Sequence, residues 1–204
     1  MSAVLAVPME LELPPGALGP EPVTVDVRAH LVPHPAGLVL VDTGIDPSGA
    51  ALEAALSATG ATWRDVTHVV ITHAHPDHTG ALAHVRAAAP GAAVLAHPLE
   101  GLADTAPVED GDLVAGRLAV VETPGHTAGH LSLLDEDTGV LLVGDCVGAM
   151  GGELVRAPAP FTADAARAED SLARLRDFRG ARMLFAHGPE LADPWPQLDR
   201  LLGR

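Results

Sequence analysis

Residues 69–80 constrain this chain more than any other stretch, and they read Val-Val-Ile-Thr-His-Ala-His-Pro-Asp-His-Thr-Gly. Three histidines and one aspartate fall within six positions directly after an apolar run, which predicts a metal site at the end of a buried strand. Alternate side chains of an extended segment share a face, so we expect His73, His75 and Asp77 to converge while His78 points elsewhere. Such a geometry suits two adjacent metal ions better than one. Imidazole nitrogens and a carboxylate, without a thiolate, favour zinc, iron or manganese.

The alternative interpretation of this stretch is a histidine-rich loop on the surface. Further ligand candidates elsewhere in the chain, each placed where a strand ends, would decide against that alternative. The rest of the sequence therefore has to be searched for histidines and carboxylates that follow apolar runs.

Composition limits the class of protein to which such a site can belong. A chain of 204 residues with 48% hydrophobic residues can bury a sizeable core, and we expect one domain over residues 1–204. Lysine is absent, all 12 basic residues are arginine, and the net charge is −15. Because binding to a phosphate backbone depends on Lys and Arg, a nucleic-acid partner is disfavoured. A solvated acidic surface accounts for the excess of Asp and Glu.

The compartment is predicted from features that the sequence lacks. Residues 1–13 have no basic n-region and are interrupted by Pro8 and Glu10, which makes them a poor signal peptide. No uninterrupted apolar run approaches the roughly 20 residues that span a bilayer. The single cysteine, Cys146, excludes an internal disulfide. We expect a cytoplasmic protein without a membrane partner, and the sequence leaves the oligomeric state open.

The first half of the chain alternates strand and helix patterns. Apolar and polar residues alternate over 4–13 and 23–32, as in an antiparallel pair, and further strands are predicted over 37–41, 69–72 and 92–96. Helices are predicted over 47–59 and 80–89, so this half is a layered α/β arrangement. The third strand ends in Asp42-Thr43-Gly44. That triplet also occurs in aspartic proteases, but those need two carboxylates, so Asp42 is interpreted as a turn residue or as a carboxylate that orients metal ligands.

The second half is mostly strands, and three of them end in further candidate ligands. The predicted strands and helices cover 118–123, 131–134, 140–144, 162–178 (helix, with Thr162 as N-cap), 182–186 and 195–202 (helix). A turn over 135–139 joins two of these strands as a hairpin. His126, Asp145 and His187 each follow one of the strands, which argues against the surface-loop interpretation.

Taken together, these positions resemble the metallo-β-lactamase superfamily. Asp42 stands in its first motif, and the other four motifs follow in the family's order with His73, His75, Asp77 and His78, then His126, Asp145 and His187. The resemblance implies an αββα sandwich of two mixed sheets flanked by helices, with the metals at one edge. It implies that the first metal is held by His73, His75 and His126. It also implies that Asp77, His78 and His187 hold the second metal and that Asp145 bridges the two metals.

The same resemblance implies a reaction and its cofactors. We expect two Zn²⁺ ions per chain, with iron or manganese as alternatives, and a metal-bound hydroxide that cleaves a small ester, thioester or lactone. Asp77 and Asp145 are the expected catalytic residues, and Asp77 also suits a proton shuttle. The sequence has no Gly-x-Ser-x-Gly elbow and no nucleotide-binding fingerprint. Two alternatives share the fold: a mononuclear iron persulfide dioxygenase and a non-catalytic metal-binding protein.

The pattern is most similar to the thioesterase and lactonase branches, including glyoxalase II. Basic residues that bind glutathione in glyoxalase II have no lysine counterpart here, and the tyrosine of acyl-homoserine lactonases is missing because the chain has no Tyr.

Residues 147–161 are predicted to form a flexible wall over the site. Within them Arg156 is a candidate anchor for a substrate carboxylate, and the alternative is an arginine exposed to solvent. Cys146 should face away from Asp145 and pack in the core. Structural roles are expected for the remaining histidines, His30, His34, His68, His84, His97 and His130.

Overall fold

The first sheet is built by the amino-terminal half of the chain. In the computed structural model, which describes residues 4–17 and 19–203, it contains β1 (Leu5–Leu13), β2 (Val23–His34), β3 (Gly37–Val41), β4 (Val66–Ile71), β5 (Ala93–Ala96) and β6 (Ala106–Pro107). Their spatial order equals their order in the chain. β1, β2 and β3 pair antiparallel, whereas β3 to β6 pair parallel, so the sheet is mixed.

The second sheet comes from the carboxyl-terminal half. Its strands are β7 (Leu113–Val114), β8 (Leu118–Glu122), β9 (Leu131–Asp135) and β10 (Val140–Leu142), and after a separate hairpin of β11 (Gly148–Met150) and β12 (Glu153–Val155) comes β13 (Arg182–Leu184). The order across the sheet is β13-β10-β9-β8-β7. β10 is parallel to β13 and antiparallel to β9, which in turn is antiparallel to β8. β8, β10 and β13 therefore run in the same direction and end at the same edge.

Helices cover the outer face of each sheet. They are α1 (Ala50–Thr59), α3 (Leu82–Ala88), α4 (Ala165–Arg174) and α5 (Trp195–Leu201), whereas the single turn α2 (Pro76–Thr79) lies in the loop after β4. One apolar cluster joins α1 and α3 to the first sheet, a second fills the space between the two sheets, and a third joins α4 and α5 to the second sheet. This is the predicted αββα sandwich, in which each amphipathic layer buries its apolar side against the next.

Three local predictions differ from the structure. Asp164, not Thr162, caps α4, because its carboxylate accepts hydrogen bonds from the amides of Ala166 and Arg167, while Thr162 follows a short 3₁₀ turn over Ala159–Phe161. α1 begins at Ala50 rather than at residue 47, after a turn in which Asp46 accepts from Ser48. Within residues 147–161, β11 and β12 form a paired hairpin that the sequence analysis did not predict. Among the described residues, no helix has the length and apolar character needed to cross a membrane.

Candidate metal centre

The predicted ligands come together because four strands deliver them to one edge of the sandwich. His126, Asp145 and His187 lie three or four residues beyond the carboxyl ends of β8, β10 and β13, which all point the same way. The loop after β4 in the facing sheet supplies the remaining ligand candidates. The amide of Leu131 donates a hydrogen bond to the carbonyl of Thr72, which fixes this loop against the second sheet.

The histidine-rich loop is not extended throughout, and this corrects the expected grouping of its side chains. Pro76 stands at the first position of α2, so Asp77 and His78 lie on a helical turn rather than on a continued strand. The alternation argument therefore holds only for His73 and His75. Asp77 points toward His187, whose Nε2 lies 3.4 Å from Asp77 Oδ2, and His78 joins that same group instead of facing away.

Three imidazoles and one carboxylate form the first group. Nδ1 of His75 lies 3.2 Å from Nε2 of His73 and 3.0 Å from Nε2 of His126. Oδ2 of Asp145 lies 3.4 Å from His126 Nε2 and 3.9 Å from His73 Nε2. Atoms bound tetrahedrally to an ion at about 2.0–2.2 Å are separated by about 3.3–3.6 Å. The four distances, 3.0–3.9 Å, bracket this separation, so the four side chains could hold one ion.

The second group shares Asp145 with the first. Nε2 of His187 lies 3.2 Å from Asp145 Oδ2, and Nε2 of His78 lies 3.3 Å from Asp145 Oδ1. Asp77 Oδ2 is 3.9 Å from His78 Nε2. Because Asp145 approaches both groups of imidazoles, its carboxylate stands where a bridging ligand would be required.

Unpaired polar atoms show that these residues fit metal ions. Nε2 of His78 and Oδ1 of Asp145 are buried, and although they lie 3.3 Å apart, neither makes a hydrogen bond of normal geometry within the described part of the chain. Buried polar atoms are nearly always paired in folded proteins, so atoms of this kind need an explanation. Imidazole nitrogens and carboxylate oxygens are ligand types suited to zinc, iron and manganese. Seven converging donor side chains, in three overlapping groups that could each hold an ion, therefore fit a metal centre.

The electrostatics divide the centre into a neutral and a charged side. Burial holds the pKa of His73 well below its usual range and that of His126 at about 4, so both imidazoles have a free lone pair at neutral pH. Burial opposes protonation of His78 and His187 too, yet Asp145 raises the pKa of His187 to about 10, and Asp145 with Asp42 raises the pKa of His78 well above its usual value. These carboxylates attract positive charge, and bound cations would replace the two protons.

Asp42 makes the orienting contact that the sequence analysis considered. Its Oδ2 lies 2.8 Å from Nδ1 of His78, and its Oδ1 accepts a hydrogen bond from the amide of Thr72. Engagement of Nδ1 directs Nε2 of His78 toward the second group. Asp42 adopts a positive φ of 59°, a region in which Asp is tolerated better than most residues.

The family model for the metallo-beta-lactamase superfamily matches residues 24–108 and 96–187, and these contain all five motifs. The chain belongs to this superfamily. A hydroxyacylglutathione hydrolase of Rhodospirillum rubrum is 36% identical in an alignment of 158 residues that covers 74% of this chain and 57% of the relative. This chain thus spans less than two thirds of that relative's length.

Two solved structures superpose on most of the chain. The metallo-beta-lactamase family protein TTHA1429 from Thermus thermophilus has a TM-score of 0.76 at 25% identity, over 98% of this chain and 78% of its own. TTHA1623, solved in a di-iron-bound form, has a TM-score of 0.66 at 29% identity, over 89% of this chain and 92% of its own. The predicted αββα class and the resemblance to the superfamily are confirmed.

His130 and Cys146 lie beside the candidate ligands and belong to neither group. Nε2 of His130 accepts a hydrogen bond of 2.9 Å from the amide of Asp145, and its Nδ1 lies 2.9 Å from the Thr123 hydroxyl. Burial lowers the pKa of His130 to about 3, which keeps Nε2 free to accept. Cys146 packs in the apolar cluster under α4 and α5, as predicted, and burial raises its pKa to about 12. The thiol is therefore protonated at neutral pH.

Glu100 is a site residue that the sequence analysis missed. Its carboxylate accepts hydrogen bonds from the amide of Ala74 at 2.6 Å, the hydroxyl of Thr127 at 2.6 Å and the amide of Gly129 at 2.8 Å. It thereby ties the loop carrying His73 and His75 to the loop carrying His126. No local pattern marks Glu100, because it lies in a short 3₁₀ turn at Pro98–Glu100 and its partners are 26 to 29 residues away.

A cavity of about 700 Å³ opens onto the metal centre and reaches Asp77, His126, Asp145 and His187. Arg156, the candidate anchor for a substrate carboxylate, also lines it. Its guanidinium, however, forms two hydrogen bonds to the Glu169 carboxylate and a further one to the Leu201 carbonyl. The structure therefore gives Arg156 partners within the protein.

Proposed function

We propose that this chain is a metal-dependent hydrolase that cleaves a small ester, thioester or lactone at a centre of two divalent ions, zinc foremost. The observation that carries the proposal is the shared carboxylate: Asp145 lies between two groups of ligand candidates, and both face one cavity. In this proposal His73, His75 and His126 hold one ion. Asp77, His78 and His187 hold the other.

Two such ions, when bound, would supply a water of lowered pKa and would polarise the carbonyl under attack. The protein's own groups then have to hold the ligands still and move a proton. Asp42 keeps Nε2 of His78 in place, and Glu100 links the two loops of the first group. These contacts set the geometry in advance, which is how such supporting residues contribute.

Asp77 is the group placed to move the proton. It lines the cavity, and its carboxylate lies within 3.4 Å of His187 Nε2. Although burial opposes the charged form, the hydrogen bond from His187 keeps the pKa of Asp77 below its usual value. Asp77 is therefore a carboxylate at neutral pH, able to accept a proton from the attacking water and return it to the leaving oxygen or sulfur.

Two relatives support the proposal. The Rhodospirillum rubrum protein is named a hydroxyacylglutathione hydrolase, and the solved relative TTHA1623 carries two iron ions. The second of these supports a dinuclear centre and makes iron the leading alternative to zinc for this chain.

Elemental analysis together with a substrate panel tests the proposal. Purified protein loaded with zinc should retain about two ions per chain and should cleave at least one member of a panel of esters, thioesters and lactones. Chelation should abolish turnover, and added zinc should restore it. Protein that never exceeds one ion, prefers iron and consumes oxygen with a persulfide would be a dioxygenase instead. Turnover that survives complete metal removal would also contradict the proposal.

A further inference from the structure

The wall of the cavity beyond the metal centre is predominantly apolar. Its side chains come from the carboxyl end of β1, from the amino end of β2 and from the segment between β11 and the 3₁₀ turn at Ala159–Phe161. They are Leu11, Leu13, Val25, Met150, Val155 and Phe161. Met150 is 54% exposed and Phe161 is 38% exposed. Large apolar side chains gathered at the mouth of a cavity mark a surface that is covered by a ligand.

The charged side chains of the wall are already neutralised. Besides the candidate metal ligands, the charged residues lining the cavity are Asp26 and Arg156. Asp26 pairs with Arg28 at 2.7 Å, and Arg156 is held by Glu169 and by the Leu201 carbonyl. Since the chain contains no lysine, the described lining offers no cation without a partner.

A substrate carboxylate held against this wall, away from the metal centre, would lose water without gaining an ion pair. Transfer of an ionised carboxylate from water into such surroundings is strongly unfavourable unless it is paired. An apolar chain, by contrast, gains free energy for each methylene that the wall removes from water.

We infer that the substrate joins an apolar acyl chain to an uncharged leaving group, and that thioesters of glutathione, with its two carboxylates, are poor substrates. The inference rests on the proposed hydrolase function and assigns its substrate class. A cavity of about 700 Å³ accepts an acyl chain of several carbons together with a small leaving group.

Two matched series of thioesters test the acyl chain and the leaving group separately. Acetyl, butanoyl, hexanoyl and octanoyl thioesters of the neutral thiol N-acetylcysteamine should show kcat/KM rising roughly two- to fourfold for each added methylene until the cavity is full. The hexanoyl thioester of glutathione should be cleaved at least about tenfold less efficiently than its neutral counterpart. A series that is flat in chain length, or a preference for the glutathione thioester, would overturn the inference while leaving the hydrolase intact.

Variants locate the effect in the wall. Phe161→Ser and Met150→Ser should flatten the dependence on chain length, whereas Leu113→Ser, a change at a side chain that is also 54% exposed but lies outside the cavity, should leave it unchanged. Equal effects of Met150→Ser and Leu113→Ser would overturn the assignment.

Binding of an uncleavable neutral amide separates this inference from the proposed function. N-methyloctanamide should bind more tightly than N-methylbutanamide, which should bind more tightly than N-methylacetamide. If binding follows this order while no ester, thioester or lactone is cleaved, the hydrolase proposal fails and the assignment of the cavity stands. If chain length does not affect binding, the assignment fails.

Discussion

The backbone amide of Asp145 donates a hydrogen bond of 2.9 Å to Nε2 of His130, and this contact fixes the residue that both candidate metal groups share. His130 is fully buried, and its Nδ1 lies beside the Thr123 hydroxyl, which in turn lies 2.9 Å from the Ser132 hydroxyl. Because Nε2 accepts, the ring proton sits on Nδ1 and points to Thr123. His130 is thus a positioning residue whose own nitrogen atoms are occupied.

We predict that His130→Ala weakens metal retention by roughly 10- to 100-fold, since the Asp145 amide loses its acceptor and the bridging carboxylate loses its support. An unpaired buried amide should also lower the free energy of unfolding by about 1–3 kcal/mol. His130→Gln should recover part of both losses, because a Gln oxygen can accept at the position of Nε2. Competition with a chromophoric chelator measures metal retention, and urea unfolding measures stability. Unchanged metal retention in His130→Ala would refute the positioning role. The control is His34→Ala, at the end of β2 far from the metal centre, which should retain metal like the wild type.

Glu100 provides a second prediction, which concerns the first ligand group alone. Its two oxygens accept three hydrogen bonds, and Glu100→Gln would turn an NH₂ group toward an N–H donor. We expect a loss of about 1.5–3 kcal/mol of unfolding free energy and weaker binding of one of the two ions. Stepwise titration with zinc should show one site weakened far more than the other. Glu153→Gln, at an exposed side chain 3.7 Å from Arg200, is the matched control and should titrate like the wild type. Equal weakening of both sites would contradict the assignment of Glu100 to one group.

That the candidate ligands lie close together could be predicted from the sequence, because each of them follows a strand that its own residue pattern reveals. Apolar runs end just before His73, Asp145 and His187, and strands that run in the same direction must end together. The shape of the histidine-rich loop was harder to predict, because a proline at the start of α2 replaces the extended pattern by a helical turn. That single turn moves Asp77 into the group of His78 and His187.

Contacts between distant residues could not be predicted in this way. Glu100 accepts a hydrogen bond from Thr127, which is 27 residues away in the sequence. Arg156 is a candidate anchor for an anion, but it forms an ion pair with Glu169 of the same chain. In both contacts, the residues adjacent in sequence contain no pattern that predicts the partner. The hairpin of β11 and β12 was missed for a related reason, since its strands are three residues each and contain little alternation.

A third prediction concerns the buried ion pair of Arg117 and Asp135. Nε and Nη2 of Arg117 donate to the two carboxylate oxygens at 3.0 and 2.7 Å, and Thr138 donates to the same carboxylate. Arg117 also donates to the Pro33 carbonyl, so the pair joins the ends of β2 and β9. Asp135→Asn leaves a buried guanidinium without its countercharge. We expect this change to cost about 3–5 kcal/mol of unfolding free energy.

The same pair predicts how stability depends on pH. Burial of Asp135 opposes ionisation, but Arg117 and Thr138 hold its pKa below the ordinary value. A carboxyl with a lowered folded pKa stabilises the protein fully above its unfolded pKa of about 3.9, and this stabilisation is lost as the pH falls through the folded pKa. The stability difference between wild type and Asp135→Asn, measured by urea unfolding, should therefore be constant from pH 7 to about 5 and shrink below about pH 4. The exposed Asp104→Asn variant should show no such difference, and a gap that stays constant to pH 3 would refute the pKa assignment.

The last prediction separates two neighbours in the loop after β10. Asp145 faces both groups of ligand candidates, whereas Cys146 packs in the apolar cluster beneath α4. We therefore expect Asp145→Asn to release most of the bound metal and to reduce kcat/KM by at least about 100-fold, because this one carboxylate is the proposed ligand of both ions. Cys146→Ala should keep about two ions per chain and lose less than about threefold in kcat/KM, its cost appearing instead as about 1–2 kcal/mol of stability from the lost packing. Elemental analysis after exhaustive dialysis, steady-state kinetics on the best substrate of the panel and urea unfolding measure the three effects. Equal loss of metal in both variants would show that the thiol, not only the carboxylate, contacts the ions, and the ligand set proposed for this loop would then be wrong.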